Sequence, residues 1–387
     1  MPSIETPGET PGESPNESPN ESLNASLGWS PFFAEQFDQL IAADPTLADA
    51  IPARVVIEYQ DRYQLITASE TATKTEMAQL NGLLLKQAMD DRLRRPAVGD
   101  WVAMRPGSGG AMGTIVHLFE RRTRFVRQLA GRRTGAQILA ANIDAVFVVT
   151  SCNRDFNPRR IERYLATVGD SGARAVIVVN KLDLCDDPSS YLETLEEVAP
   201  GVPVAAVSAL EHQGLAALRS HIAAGETVAL VGSSGVGKST LINWLRGADV
   251  QEVGDIRAGD AKGRHTTTHR ELIVMPDGGI LVDTPGMREL QIWSAREGVR
   301  ETFADVEALT EQCRFRDCAH NSEPGCALQD AVRSGAVDSE RVASYLKLKD
   351  ELASAEQRQE QSAVIVERRK WKRIAKANRV RKRFDGR

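Results

Sequence analysis

The nine residues Gly232-Ser233-Ser234-Gly235-Val236-Gly237-Lys238-Ser239-Thr240 constrain this chain more than any other stretch. They satisfy the pattern Gly-x-x-x-x-Gly-Lys-Ser/Thr and follow an apolar run, Thr227-Val-Ala-Leu-Val231, that reads as a buried strand. A helix should start at once, with Leu241, Ile242 and Leu245 on one face and Gly247 as its stop. Strand, glycine loop and helix start together specify an α/β phosphate-binding unit.

The residue types follow from the charge of the ligand. A loop that wraps a triphosphate must bring backbone N–H groups close to it, and glycine permits this by lacking a Cβ and tolerating positive φ. Lys238 would bridge the β- and γ-phosphates, Ser239 would offer its hydroxyl to Mg2+, and the helix would point its positive end at the anion.

Around this loop the chain alternates apolar strands with helices. Ala145-Val-Phe-Val-Val149, Ala175-Val-Ile-Val-Val179 and Val202-Pro-Val-Ala-Ala-Val207 precede Thr227–Val231, and Asn157 with Pro158 should open a helix between the first two. Continuous apolar strands of this kind belong to a parallel sheet covered on both faces.

Asn180-Lys181-Leu182-Asp183 stands at the carboxyl end of the second of these strands. In GTPases this tetrapeptide reads guanine: the aspartate accepts from the ring N–H and the exocyclic amine, a donor pair that adenine lacks on that edge. Ser208-Ala209-Leu210, at the end of the next strand, matches the partner motif whose backbone N–H meets the guanine carbonyl. Ligands of α/β sheets bind at this strand edge, so the three motifs support one another.

Two further elements belong to the same chemistry. Gly263-Arg-His-Thr-Thr-Thr268 lies where switch I is expected, and Thr267 is the candidate to complete the Mg2+ shell, with Thr266 and Thr268 as alternatives. Asp283-Thr-Pro-Gly286 is the Asp-x-x-Gly element, in which Asp283 holds Mg2+ through water and the Gly286 N–H senses the γ-phosphate. The order is inverted relative to ordinary GTPases, because the guanine motifs come before the phosphate loop. Cutting the fold at a surface loop and joining its old ends preserves the sheet, so this is read as a circularly permuted GTPase domain.

Beyond residue 298, Cys313-x4-Cys318-x-His320-x5-Cys326 gathers three of the five cysteines of the chain around one histidine. Three thiolates and an imidazole can close a tetrahedral Zn2+ site with no open position, which implies a structural role. Cys152 and Cys185 are isolated and read as packing residues. Asp338 should cap a long helix with Val342, Tyr345 and Leu346 on its apolar side.

The flanks are read from composition. Residues 1 to about 30 repeat Thr-Pro-Gly-Glu and Ser-Pro-Asn-Glu units, whose prolines forbid a helix, and no Lys or Arg occurs before Arg54. From Ile51, short β-type runs at 53–59, 63–67, 100–104 and 113–119 suit a small antiparallel barrel of the OB-fold type. Arg121, Arg122, Arg124, Arg127, Arg132 and Arg133 follow, either as a solvated linker or as an RNA-backbone contact. Ten basic residues from Arg368 to Arg383, with Trp371 and Phe384 nearby, leave the same two readings for the C-terminus. No apolar run approaches a membrane span and no secretory signal is seen, so a cytoplasmic protein without membrane contact is expected.

The whole set of motifs resembles the RsgA (YjeQ/YloQ) family of ribosome small-subunit-dependent GTPases. The resemblance covers roughly residues 50 to 350 and matches the family order of OB-fold, permuted α/β GTPase domain and zinc domain. It implies GTP hydrolysis to GDP stimulated by the 30S subunit, during late maturation of that subunit, with rRNA contact and release on turnover. The expected organisation is an acidic, mostly disordered extension at 1–50, an OB-fold at 51–119, the permuted GTPase at 120–297, a mostly helical zinc-binding domain at 298–360 and a basic tail at 361–387. A monomer is expected.

Catalysis is less defined. Met287 stands where many GTPases place a water-orienting Gln, and a thioether cannot orient water. His265 is the candidate to replace it, either by positioning water or only by ordering its loop; Lys238 and Thr267 supply the remaining catalytic contacts. An rRNA-binding scaffold that keeps GTP as a mainly structural ligand is the alternative to an enzyme.

Overall fold

The computed structural model describes residues 24–68, 72–128, 136–247, 270–283, 296–321 and 323–357. Its first strands are β1 (Ile51–Glu58), β2 (Tyr63–Ala68), β3 (Thr73–Leu80), β4 (Trp101–Arg105) and β5 (Gly113–Leu118). They pair in the closed order β1-β2-β3-β5-β4-β1, antiparallel except for β3 with β5. Closure removes the free edges that a five-stranded open sheet would expose. Ala53, Val55, Tyr63, Leu65, Ala78, Val102, Met104 and Ile115 fill the interior.

The expected barrel is therefore present, with one strand more than the apolar runs marked. In β3, Thr-Lys-Thr-Glu-Met-Ala-Gln-Leu, only Ala78 is buried, so no hydrophobic run announces it. The helix Gly82–Asp90 follows β3; Asn81 caps it by accepting from the Leu84 N–H at 2.8 Å.

Residues 1–50 are expected to be a mostly disordered extension, but Pro31–Ala43 within them form a helix that packs on this barrel. Phe33 is fully buried, and Trp29 meets the Trp101 ring edge-on at 4.7 Å and Phe119 at 5.9 Å. Burial of these aromatic faces is what holds a helix that has no capping side chain. The repeat within residues 1–23 lies outside the described residues, as does the basic tail within 358–387.

The connector after the barrel is a two-stranded ribbon, β6 (Arg124–Gln128) and β7 (Ala136–Ala141). Arg121 donates to both oxygens of the fully buried Asp100 at 2.7 Å, and Arg122 donates to Asp144 at 2.8 Å. Those two arginines serve internal ion pairs. Arg132 and Arg133 lie outside the described residues.

The main sheet continues with β8 (Ala145–Ser151), β9 (Arg174–Asn180), β10 (Val204–Ala206), β11 (Thr227–Val231), β12 (Glu271–Val274) and β13 (Ile280–Asp283). Its order is β10-β9-β8-β11-β13-β12, parallel throughout except for β12. The chain builds one half from β8 to β10, then jumps to the middle with β11 and completes the other half. This is the topology of a permuted nucleotide-binding sheet. Two apolar clusters cover its two faces.

The barrel and the sheet share one junction. β1 pairs with β12 through Ile57 and Glu271, and Arg54 of β1 is buried between the two bodies. Its guanidinium donates to the carbonyls of Leu27, Gly99 and Asn142 and to the Thr227 hydroxyl, over the Trp101 ring. Burial pulls its pKa down to about 10, opposed by Asp144 and Asp100. Thr227 opens the strand that leads to the phosphate loop, so the barrel grips the base of that strand.

The C-terminal module comprises helices Arg296–Thr302, Ala304–Thr310 and Ala327–Ser334 and a helix over 339–357. Phe303, Val306, Leu328, Val342, Tyr345 and Leu348 form its core, which includes Ala166 of the helix Pro158–Ser171. At Gly298 a Cβ would come within 1.8 Å of the Ala166 carbonyl, so only glycine allows this approach. Arg341 seals the interface: it donates to Glu162 at 2.8 Å, to both Asp305 oxygens and to the Val198 and Thr302 carbonyls. Among the described residues no helix is long and apolar enough to cross a membrane.

Candidate functional site

The phosphate loop leaves β11 and enters the helix Lys238–Leu245, as its sequence predicts. Lys238 folds back over the loop, its ammonium donating to the Gly232 carbonyl at 2.8 Å and to the Ser233 carbonyl. Ser234, Gly235 and Ser239 are exposed to solvent while Val236 is buried, so the loop presents its polar side outward and anchors itself by one apolar side chain.

Asn180 binds the phosphate loop to the guanine motifs. Its Nδ2 donates to the Val236 carbonyl at 2.8 Å, and its Oδ1 accepts from the Ala209 N–H at 3.0 Å. The fit is tight. Gly237 has φ of 96°, and a Cβ there would lie 2.2 Å from Asn180 Nδ2. Glycine is required at this position by its neighbour as well as by its own backbone.

Lys181 adopts a left-handed conformation, φ 65°, which turns the chain into the short helix Leu182–Leu184 and sets Asp183 beside Ser208. The Ser208 hydroxyl donates to Asp183 Oδ1 at 2.5 Å and accepts from the Glu211 N–H at 3.1 Å. Gln213 and Ser208 exchange two backbone hydrogen bonds of 3.0 Å, which closes the loop that carries Ala209. Asn180, Lys181, Asp183, Ser208 and Ala209 are thus brought together with Gly232–Thr240 at one edge of the sheet.

Asp283, at the end of β13, lies 3.9 Å from the Arg246 guanidinium, which also faces Glu271 at 3.6 Å. His265, Thr267, Gly286 and Met287 lie outside the described residues. One contact at the loop has no motif behind it. The Ser233 hydroxyl donates to Asp155, which also accepts from Arg160 at 3.0 Å. Burial opposes the charge, but these bonds outweigh it and hold the Asp155 carboxyl below the usual aspartate range. Asp155 and Ser233 are 78 residues apart, so no local spacing could have paired them.

The second cluster is in the C-terminal module. The donor atoms of Cys313, Cys318, His320 and Cys326 all lie within 4.8 Å of one another, with His320 Nδ1 3.5 Å from Cys313 Sγ and 3.6 Å from Cys326 Sγ. Metal–ligand bonds of about 2.0–2.3 Å separate the corners of a tetrahedron by about 3.3–3.8 Å; the two His320 edges lie in that range, and three thiols with one imidazole are a donor set that suits Zn2+. His320 is held at φ 60°, and its carbonyl accepts from Gln329 at 2.7 Å. Burial disfavours a thiolate at Cys313, but the amides of Ala327 and Leu328, at a helix start, more than compensate and lower its pKa. Burial also lowers the pKa of His320, which keeps the imidazole neutral and able to ligate.

Comparison with known proteins agrees with this geometry. A family model described as RsgA GTPase matches residues 118–293. The chain is 44% identical over 369 residues to the small ribosomal subunit biogenesis GTPase RsgA of Opitutus terrae, covering 93% of this chain and 98% of that protein. Among solved structures, YjeQ from Thermotoga maritima superposes with a TM-score of 0.57 at 26% identity, over 79% of this chain and 99% of that one. YloQ, described as a circularly permuted GTPase, gives 0.56 at 25% identity, over 79% and 96%. These relatives are named as GTPases, which favours the enzyme over the scaffold alternative.

Proposed function

The chain belongs to the RsgA GTPase family, and from that premise we propose that it binds the small ribosomal subunit, assists its late maturation and leaves it on GTP hydrolysis. As a family member it is a hydrolase acting on GTP. Asp183 reads the guanine edge, with Ser208 orienting its carboxylate, Ala209 offering its backbone N–H, and Asn180 and Lys181 shaping the loop. The Gly232–Thr240 amides and Lys238 take the phosphate charge, which is where a loosely bonded phosphoryl transition state needs neutralisation. Ser239, Asp283 and Thr267 would hold Mg2+, which when bound supplies further neutralisation of the β- and γ-phosphates; the Gly286 N–H senses the γ-phosphate. His265 positions water or orders switch I, and His265→Ala separates these by whether particle-stimulated turnover falls.

The C-terminal module holds one structural Zn2+ through Cys313, Cys318, His320 and Cys326. Its basic tail and the barrel contact rRNA, and the protein acts as a cytoplasmic monomer. The observation that carries the reading is the bond pair of Asn180, which joins guanine and phosphate loops into one site. The deciding experiment is GTP turnover with and without purified 30S, 50S and 70S particles. Stimulation by 30S alone is the expected result; equal rates with all three would reject the subunit assignment.

A further inference from the structure

Asp155 sits between two parts of the molecule that no motif connects. Both of its carboxylate oxygens are engaged, Oδ2 by the Ser233 hydroxyl and Oδ1 by Arg160 at 3.0 Å. Its backbone is fixed as well: the Asp155 N–H donates to Asn153 Oδ1 at 2.9 Å, and the Ser151 hydroxyl donates to the same atom at 3.0 Å. Two residues on, Asn157 caps the helix Pro158–Ser171 through the Arg160 N–H at 3.0 Å. Arg160 therefore belongs to the helix by its backbone and to the phosphate-loop contact by its side chain.

The same helix is the seat of the C-terminal module. Arg159, adjacent to Arg160, pairs with Asp338; Glu162 pairs with Arg341; Arg163 pairs with Glu351 at 2.7 Å. Every one of these partners is in the C-terminal module. One helix thus carries the module on its length and, through Arg160 in its first turn, holds the Asp155 carboxylate that accepts from Ser233. A displacement of the helix by whatever the module docks on would be delivered to the phosphate loop through two hydrogen bonds, Arg160 to Asp155 and Ser233 to Asp155.

We propose that Asp155 is a positioning residue for the phosphate loop, coupling its Ser233 limb to the helix on which the C-terminal module sits. The positioning rests on the GTPase activity of the family; only the identity of the docking partner rests on the function proposed above. The coupling is physical, through a bonded contact and a packed helix.

The test is a double-mutant cycle in the full chain with Asp155→Ala, Ser233→Ala and their combination, read by binding of fluorescent GDP and a fluorescent non-hydrolysable GTP analogue without ribosomal particles. Each single variant should weaken nucleotide binding about five- to tenfold, and the pair no further, because both remove one interaction. Asp155→Asn, which keeps an acceptor for Ser233, should recover part of the loss. Additive losses, or unchanged affinity with only a lower melting temperature, would overturn the positioning role. With 30S particles, Asp155→Ala should also reduce the fold-stimulation of turnover; an unchanged ratio would overturn the coupling. If the unaltered protein is not stimulated at all, the proposed partner is wrong, while the binding cycle still decides the role of Asp155.

Discussion

The Asn180 amide nitrogen lies 2.8 Å from the Val236 carbonyl, across 56 residues of sequence. The guanine loop and the phosphate loop are therefore one hydrogen-bonded unit. Asn180→Ala removes this bond and the one to Ala209, leaving a buried carbonyl and a buried N–H unpaired. A stability loss of about 2–3 kcal/mol is expected, with weaker binding of GTP and GDP alike. Denaturant melts and nucleotide titration check it; a loss of affinity without loss of stability would contradict the shared role.

Asp183 should decide the base. Its carboxylate accepts two hydrogen bonds from guanine, whereas an amide presents a donor that matches the carbonyl of xanthine at the same ring position. Asp183→Asn should weaken GTP binding about 100-fold and favour xanthosine triphosphate. Competition between the two nucleotides reads this directly, and retained GTP preference would move the base site elsewhere.

The cysteine cluster predicts one zinc per chain. Cys318→Ser removes one of four ligands, so elemental analysis should show loss of metal, and the 296–357 helices should melt earlier than the nucleotide-binding sheet. Chelation of the unaltered protein should have the same effect. A full zinc content in the variant would exclude Cys318 as a ligand.

Arg341 holds the module to the sheet domain through the fully buried Glu162 and the Val198 carbonyl, and it pairs with Asp305 inside the module. Arg341→Ala leaves Glu162 with Arg159 alone, at 2.8 Å, and removes the bonds across the interface, so it should cost about 1–3 kcal/mol. The pH dependence has a definite sign. Burial raises the pKa of Asp305, but Arg341 overcomes it and the folded value lies below the ordinary 3.8. The Asp305 contribution is thus fully present above pH 3.8 and is lost as pH falls through the folded pKa. Acid titration of the melting temperature should show this loss, and the Arg341→Ala protein should lack it.

Legibility followed the range over which each residue is constrained. Gly237 and Asn180 could be read because nucleotide loops impose residue types at fixed spacing, and the cysteine cluster because its ligands are close in sequence. Strand β3 could not be read as apolar, since the barrel interior takes only Ala78 from it. The helix Pro31–Ala43 depends on Trp101 and Phe119, whose positions only the folded barrel defines. Arg121 looks like part of a basic cluster until Asp100 is found beneath it, and Asp155 has no motif to announce its hold on Ser233.

The permuted sheet also sets a schedule for synthesis. Strands β8, β9 and β10 emerge first, and β8 keeps a bare inner edge until residues 227–231 arrive to form β11 between it and β13. That edge is central and apolar, the kind that recruits other chains when left waiting. Slowing elongation between residues 206 and 227 should therefore lower the soluble yield.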